Sequence, residues 1–317
     1  MAVIQSEQIK AEAKNLGFSA CGIARAEPVD AATADDFRQW IARGGHAGMD
    51  YMERHTDMRL DPRLLMPGVK SIISVAFNYA PRERIPKGEP QLAVYAYGQD
   101  YHDVVRQRLH QLAAAMEITQ YRAFCDSAPV LERYWAVQAG LGWQGRNQQL
   151  IIPHAGSMFF LGELFVEEEC DHYDHPMPSR CGRCHACLDA CPTGAITLDE
   201  KACPQFDAHR CLSYQTIENR GDIPSDIAAK MGNTIYGCDR CQDACPWNRF
   251  ATPTEEPLFQ PKPELMMMTR ERWSSLTIEE YRALFKGSAV KRAKYEGLMR
   301  NVRLADPPPA PPLQGGE

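Results

Sequence analysis

Nine of the twelve cysteines fall between Cys181 and Cys245, eight of them with the spacing of iron–sulfur ligands. Cys181, Cys184, Cys187 and Cys191 stand as C-x2-C-x2-C-x3-C with Pro192 next, and Cys238, Cys241 and Cys245 repeat C-x2-C-x3-C, closed by Pro246. In such a run three thiolates grip one [4Fe–4S] cube and the fourth crosses to a second. The second half is one thiolate short. Cys211 is well placed to supply it, and Cys203, also followed by Pro, competes for the same role. With Cys211 as the ligand, Cys181, Cys184, Cys187 and Cys245 hold one cluster, and Cys191, Cys211, Cys238 and Cys241 hold the other. Zinc favours paired C-x2-C hooks with four ligands and gives no reason for this spacing. Disulfides need an oxidising compartment, which nothing in the sequence specifies. The remaining Cys21, Cys125, Cys170 and Cys203 are expected as buried small hydrophobes.

Two adjacent clusters carry electrons but rarely complete a reaction, so something must accept what they deliver. The chain is therefore an electron-transfer subunit or a reductase with its own terminal cofactor. About 170 residues precede the cysteine region, which favours the reductase. Gly140-Leu141-Gly142-Trp143-Gln144-Gly145 matches G-x-G-x-x-G, but a dinucleotide site needs that pattern after a strand and opening a helix. Here it follows a helix and leads into a strand over 147–152, so it reads as a helix stop and turn. A P-loop and an H-E-x-x-H motif are both lacking.

The elements that must position this chemistry follow from periodicity. Ser6–Leu16 is predicted as an amphipathic helix stopped by Gly17, and residues 18–24 as a short strand. A second helix spans 34–43, capped by Thr33. Residues 69–77 (VKSIISVAF) form a nearly continuous apolar run, as in a strand buried on both faces. A Pro-rich loop over 81–90 precedes a helix over 103–116, with Val105, Leu109, Leu112 and Met116 at helical spacing. Strands over 121–125 and 158–166 bracket a helix over 130–139, and the alternation argues for an α/β or α+β core. Beyond Pro246, four prolines from Pro253 to Pro263 mark a linker. Thr277 and Glu280 make a capping box for the next helix. A last helix spans 289–304, and the Pro-rich tail from Asp306 is expected to be disordered.

Several motifs resemble the epoxyqueuosine reductase family. They are Tyr97-Gly98-Gln99-Asp100-Tyr101-His102, the stretch Phe124 to Arg133 (FCDSAPVLER), Gly142 to Asn147 (GWQGRN) and Gly156 through Leu164, together with the Cys181 run. Asp207 through Glu218 (DAHRCLSYQTIE) matches the family's lone-cysteine motif, which favours Cys211 over Cys203. The resemblance covers most of residues 1–304. It implies an α+β fold with an N-terminal α/β cobalamin-binding domain (1–168, nitroreductase-like core). A ferredoxin-like domain with two [4Fe–4S] clusters (169–250) follows, then a linker and short HEAT-like basic helical segment (251–305) and the tail (306–317).

The implied activity is reduction of epoxyqueuosine to queuosine at the wobble position of tRNA, the last step in making that base. The family's proton-donating aspartate falls on Asp126, where a buried, protonated carboxyl would neutralise the alkoxide left by epoxide opening. By its local sequence alone, Asp126 reads as a turn or capping aspartate ahead of Pro129. Cobalamin binding is implied for Arg54, Tyr97, Asp126, Gln148, Ile151, Ser157 and Gly162. The D-x-H-x-x-G signature of His-ligated cobalamin is absent, as the family's base-displaced cofactor requires. The expected mechanism loads the clusters from flavodoxin or ferredoxin and reduces cobalamin to Co(I). The epoxide then opens as Asp126 protonates its oxygen, and a second electron and loss of water give the alkene.

From Leu265 to Arg303 nine Lys/Arg stand against four Glu, an excess of +5 in a chain of net −6 and pI near 5.9. Such a patch suits the phosphates of an anticodon stem-loop, or is an ordinary solvated helix face. Many family members continue into a longer helical-repeat tail, so a shorter grip on tRNA is expected. With 317 residues, 44% of them hydrophobic, the chain can bury a sizeable core. It shows neither a signal peptide nor a membrane-length apolar run, so a cytoplasmic monomer is expected. A reductive dehalogenase shares cobalamin and two clusters, but usually carries an export signal and a tyrosine donor.

Overall fold

The computed structural model describes residues 3–305; the Pro-rich tail lies outside the described residues. Its centre is a four-stranded antiparallel sheet ordered Ala20–Arg25, Ser71–Asn78, Phe159–Val166, Tyr121–Phe124. Successive side chains of a strand point to opposite faces, and both faces are covered. Ile73, Val75, Phe77, Leu164 and Val166 pack with Ile9 of the Ser6–Asn15 helix and with Val105, Leu109 and Leu112 of the Tyr101–Ala115 helix. Ile72, Ala76 and Phe165 pack on the other side with Ala34 of the Ala31–Ala42 helix and with Trp135 and Ala136 of the Glu132–Gln138 helix. The apolar run at 69–77 is thus a central strand buried on both faces, as expected.

Local signals survive with small shifts. The Ala31–Ala42 helix is capped by Asp30, whose carboxylate accepts the Thr33 N–H at 3.0 Å, rather than by Thr33. An Asp three residues earlier meets the same orphan donors, so the helix starts sooner. The G-x-G-x-x-G stretch is a tight hairpin, Trp143–Gln144 against Leu150–Ile151, and not a nucleotide turn. A Cβ on Gly142 would stand 2.1 Å from the Ile151 carbonyl oxygen, so backbone approach explains that glycine. The capping box at Thr277 forms fully: Thr277 accepts the Glu280 N–H at 3.2 Å, and Glu280 accepts the Thr277 N–H at 2.8 Å. The expected last helix is interrupted. A 3-10 turn, Ala289–Ala293, gives way to the Lys294–Leu304 helix at Lys294, whose φ is +60°.

The chain repeatedly crosses between its regions. Val3–Ile4 pairs with Glu169–Cys170, and Gln91–Leu92 with Thr234–Tyr236. The stretch from Pro253 is laid down on the core: Thr254 donates its N–H to the Ala80 carbonyl, and buried Phe259 packs edge-on against Phe77 and Phe160. Trp273, Phe285 and Leu298 share the cluster that contains Ile73 and Leu109. No helix among the described residues is long and apolar enough to cross a membrane.

Candidate active site

Asp126 follows the Tyr121–Phe124 strand in the left-handed conformation, φ +56°. Asp is among the few non-glycine residues that tolerate this region, and such strain concentrates at functional loops. Its backbone N–H donates to Glu132, in the first turn of the Glu132–Gln138 helix. Its carboxylate faces the start of the Tyr101–Ala115 helix. The Tyr101 hydroxyl donates to Oδ2, and His102 Nε2 stands 3.4 Å from the same oxygen. Asp100 caps that helix by accepting the His102 N–H at 3.1 Å, and its Oδ1 lies 2.6 Å from His102 Nδ1. One motif therefore supplies a cap, a phenol and an imidazole, with His102 bridging two carboxylates. Gly98 lets this motif lie on the later chain, since a Cβ there would meet the Leu258 carbonyl oxygen at 2.4 Å.

Charge distribution follows from that geometry. Burial alone would lift the Asp126 carboxyl, but the hydrogen bonds from His102 and Tyr101 hold it below the usual aspartate range. Burial would lower His102, yet Asp100 and Asp126 on either side raise it to about 9. The expectation of a protonated Asp126 is thus corrected: at neutral pH the carboxyl is ionised and the proton rests on His102. Tyr101 is pushed far above an ordinary phenol by burial and by Asp126. Asp126 and Arg133 are open to solvent.

The other sequence-named lining residues scatter. Arg54 is exposed and half-exposed Gln148 accepts from the Gln144 amide in a left-handed turn. Tyr97 is buried, its oxygen accepting the Ile85 N–H at 3.2 Å. Ile151 is a core residue. A Cβ on Gly162 would meet Val105 at 2.7 Å, so strand-to-helix packing accounts for that glycine. Ser157 accepts Gln242 Nε2 on its carbonyl at 3.0 Å and donates its N–H to Asn248 at 2.7 Å, tying the sheet to the cysteine region. Tyr101, His102, Glu132 and Arg133 were not singled out by sequence reasoning, although all lie inside its quoted motifs.

Cysteines from the separate runs lie near enough to influence one another. Burial first, then Cys181, Cys245 and Cys184, raise the Cys187 thiol to about 11. Burial also raises Cys241, followed by Cys238 and Cys211, and Cys211 in turn feels Cys191. Cys191 Sγ accepts the Ala195 N–H at 3.3 Å, a donor suited to a thiolate. Among the described residues no set is tight enough for a single metal ion; a cube spaces its four sulfurs more widely. Cys203 stands apart and exposed beyond the Ile196–Leu198 strand, which corrects its expected burial. A Pro-bounded turn has no core to receive it. Cys125 and Cys170 are buried, while Cys21 is only half-covered. Arg146 donates to the carbonyls of Cys184 and Gly182, so the GWQGRN motif clasps the first cysteine loop.

Three of the nine C-terminal basic residues are engaged internally. Arg292 forks onto Glu218 with two 2.8 Å hydrogen bonds and lies over the Tyr51 ring. Arg300 donates to the carbonyls of Asn219 and Gln215, and Arg270 to those of Ala305 and Gly88. Lys286, Lys291, Lys294 and Arg303 are exposed.

A layered sheet joined to a cysteine region of iron–sulfur spacing, with the Asp126–His102 pair at the start of a helix on that sheet, fits an iron–sulfur oxidoreductase. Residues 59–127 match the family model "Epoxyqueuosine reductase QueG, DUF1730", and residues 180–248 match the "4Fe-4S double cluster binding domain". The epoxyqueuosine reductase of Cellulophaga algicola is 44% identical over 94% of this chain and 96% of its own length. That of Pseudomonas aeruginosa is 40% identical over 94% and 84%. A crystal structure of an epoxyqueuosine reductase with an epoxyqueuosine-modified tRNA stem loop superposes with a TM-score of 0.83 at 29% identity, covering 94% of this chain and 80% of that one. The chain belongs to the epoxyqueuosine reductase family.

Proposed function

We propose that this protein reduces epoxyqueuosine to queuosine in tRNA, with cobalamin as terminal cofactor and two [4Fe–4S] clusters supplying electrons. The observation that carries the reading is the Asp100–His102–Asp126 chain, whose Asp126 carboxylate is open to solvent, in the same fold as the cysteines with iron–sulfur spacing. Family membership and the relative bound to a modified stem loop support the substrate. The proposed ligand sets are Cys181, Cys184, Cys187 and Cys245, and Cys191, Cys211, Cys238 and Cys241. Residues 1–168 are assigned to cobalamin and catalysis, 169–250 to the clusters and 251–305 to RNA contact.

Bound cobalamin supplies strongly nucleophilic, reducing cobalt to the epoxide. The protein's part is proton management and exclusion of water. Converting an epoxide to an alkene consumes two electrons and two protons and releases one water. The proton held on His102 crosses to Asp126 Oδ2, 3.4 Å away, and from there to the opening oxygen. Tyr101 fixes the rotamer of Asp126 by donating to Oδ2. Of the seven residues named for the cofactor, Arg54, Asp126 and Gln148 have side chains that solvent reaches, whereas Tyr97, Ile151, Ser157 and Gly162 serve packing and internal hydrogen bonds. Cys184 is exposed, flanked in sequence by exposed Arg180 and Arg183, a match for an acidic one-electron carrier such as flavodoxin or ferredoxin.

The test is reconstitution with iron, sulfide and cobalamin under reducing conditions, then nucleoside analysis of tRNA carrying epoxyqueuosine. Appearance of queuosine supports the reading; cofactor loading without product would overturn it.

A further inference from the structure

The hairpin of Trp143–Gln144 and Leu150–Ile151 is rooted in the N-terminal core, where Leu150 packs in the cluster that contains Trp135. Its tip reaches the cysteines. The turn there is tight: the Gly145 carbonyl accepts the Gln148 N–H at 2.9 Å, and a Cβ on Gly145 would stand 2.5 Å from the Ile151 side chain. Arg146 and Asn147 project from this turn to different cysteine loops. The half-buried Arg146 guanidinium forks, Nη1 donating to the Cys184 carbonyl at 2.5 Å and Nη2 to the Gly182 carbonyl at 3.0 Å. Buried Asn147 donates Nδ2 to the Cys241 carbonyl at 3.3 Å, while its Oδ1 accepts the Gln149 N–H. At the base of the hairpin Trp143 meets Trp247 edge-on, 4.9 Å between centroids, two residues beyond Cys245. One rigid element therefore fixes a cation against the Cys181–Cys184 loop and only a neutral amide against Cys241.

We propose that Arg146 sets the two clusters apart in reduction potential, raising that of the cluster held by Cys181, Cys184, Cys187 and Cys245. The inference rests on the ligand sets given above. Taking one electron turns a [4Fe–4S]2+ cube into [4Fe–4S]1+, which adds one negative charge and transfers no atom. A cation fixed beside the cube stabilises the reduced form, and net charge is one of the quantities that set such potentials. Arginine stays charged at every working pH, and its planar fork holds the charge in place. The surrounding charges reinforce the asymmetry. The first run has Arg146, Arg180 and Arg183 near it against Asp189, whereas the second sets Arg84 and Arg240 against Asp239 and Asp243, with Arg84 paired to Asp243 at 2.8 Å. Cys184 is also the exposed ligand of its set, so the cluster that a one-electron carrier meets first is the one that fills first. Arg146 acts through the cluster and is a tuning residue, not a catalytic one.

The test is a potentiometric titration of the cofactor-loaded enzyme without tRNA, with both clusters followed by electron paramagnetic resonance. The wild type should give two separate midpoints. Arg146→Gln keeps hydrogen-bond donors but no charge, and should lower the higher midpoint by about 60 mV, a tenfold change in that cluster's reduction equilibrium. The lower midpoint and the iron content should not move. Arg146→Lys keeps the charge without the fork, so its higher midpoint should stay within about 20 mV of wild type, a twofold change. Unchanged midpoints in a fully loaded Arg146→Gln enzyme would overturn the proposal. So would loss of the first cluster from that variant, which would make Arg146 a structural clasp. If Arg146→Gln does not fold, Arg146→Lys decides, and a fall of about 60 mV there would show that the fork rather than the charge is what matters. A wild type that holds fewer than two clusters would fail the ligand reading instead.

Discussion

Replacing His102 with Gln removes a positive charge 3.4 Å from the Asp126 carboxylate while keeping a hydrogen-bonding side chain. Two unit charges at that separation attract by about 1 kcal/mol in water and about 5 kcal/mol at an effective dielectric of 20. The side chains are 28% and 58% exposed, so the screened end applies, roughly 1–2 kcal/mol or about one pKa unit. Asp126 would then return toward the ordinary aspartate range, with no imidazolium to resupply it. At pH 7 fewer than about one molecule in a hundred would carry an acidic proton there. The single-turnover rate on epoxyqueuosine tRNA should fall about a hundredfold at that pH and recover toward acid. The wild-type rate should persist until the pH approaches about 9, where His102 deprotonates. Stability follows the same sign: the fold binds this proton more tightly than the free side chain, at about 9 against 6.5. That stabilisation is complete below about pH 6.5 and lost as the pH rises to about 9, so the wild-type Tm should drop more steeply across this window than the variant's. A variant with intact iron and cobalamin whose rate stays within about threefold of wild type at pH 7 would refute the relay.

Cys211→Ser should lose one of two clusters while Cys203→Ser keeps both; full iron in the Cys211 variant would break the ligand assignment. Reversing Lys291 and Lys294 to Glu should weaken tRNA binding and lower the slope of log affinity against log salt by about two, leaving cobalamin content unchanged. Arg292→Ala should act differently, lowering Tm by a change worth about 1 kcal/mol, because its guanidinium is committed to Glu218. Equal effects of the two changes on RNA binding would show that Arg292 contacts phosphate after all.

What the sequence disclosed was mostly local. The cluster cysteines were legible because ligand spacing is written within a few residues, and the Thr277 capping box because its partner lies three residues away. Asp126 was legible only as part of a motif; its ionisation depends on Tyr101 and His102, which are 25 and 24 positions earlier in the chain and reach it by packing. Glu163 sits inside FFLGELFV, an apolar run whose one acid gives no hint of the Ser74 hydroxyl that donates to it at 3.2 Å. The +5 patch was correctly counted, but charge alone could not reveal that Arg270, Arg292 and Arg300 hold the C-terminal segment to the rest of the protein. The two-residue strand pairings carry too little periodicity to be seen in advance.

The most direct measurement compares wild type with Asp126→Asn, both loaded with iron–sulfur clusters and cobalamin, on tRNA carrying epoxyqueuosine. Asn preserves size and hydrogen bonding but cannot pass a proton, so cofactor content and tRNA affinity should match the wild type. Queuosine formation should fall by about 10²–10⁴. A fully loaded Asp126→Asn enzyme that makes queuosine at the wild-type rate would contradict the assignment of the proton donor.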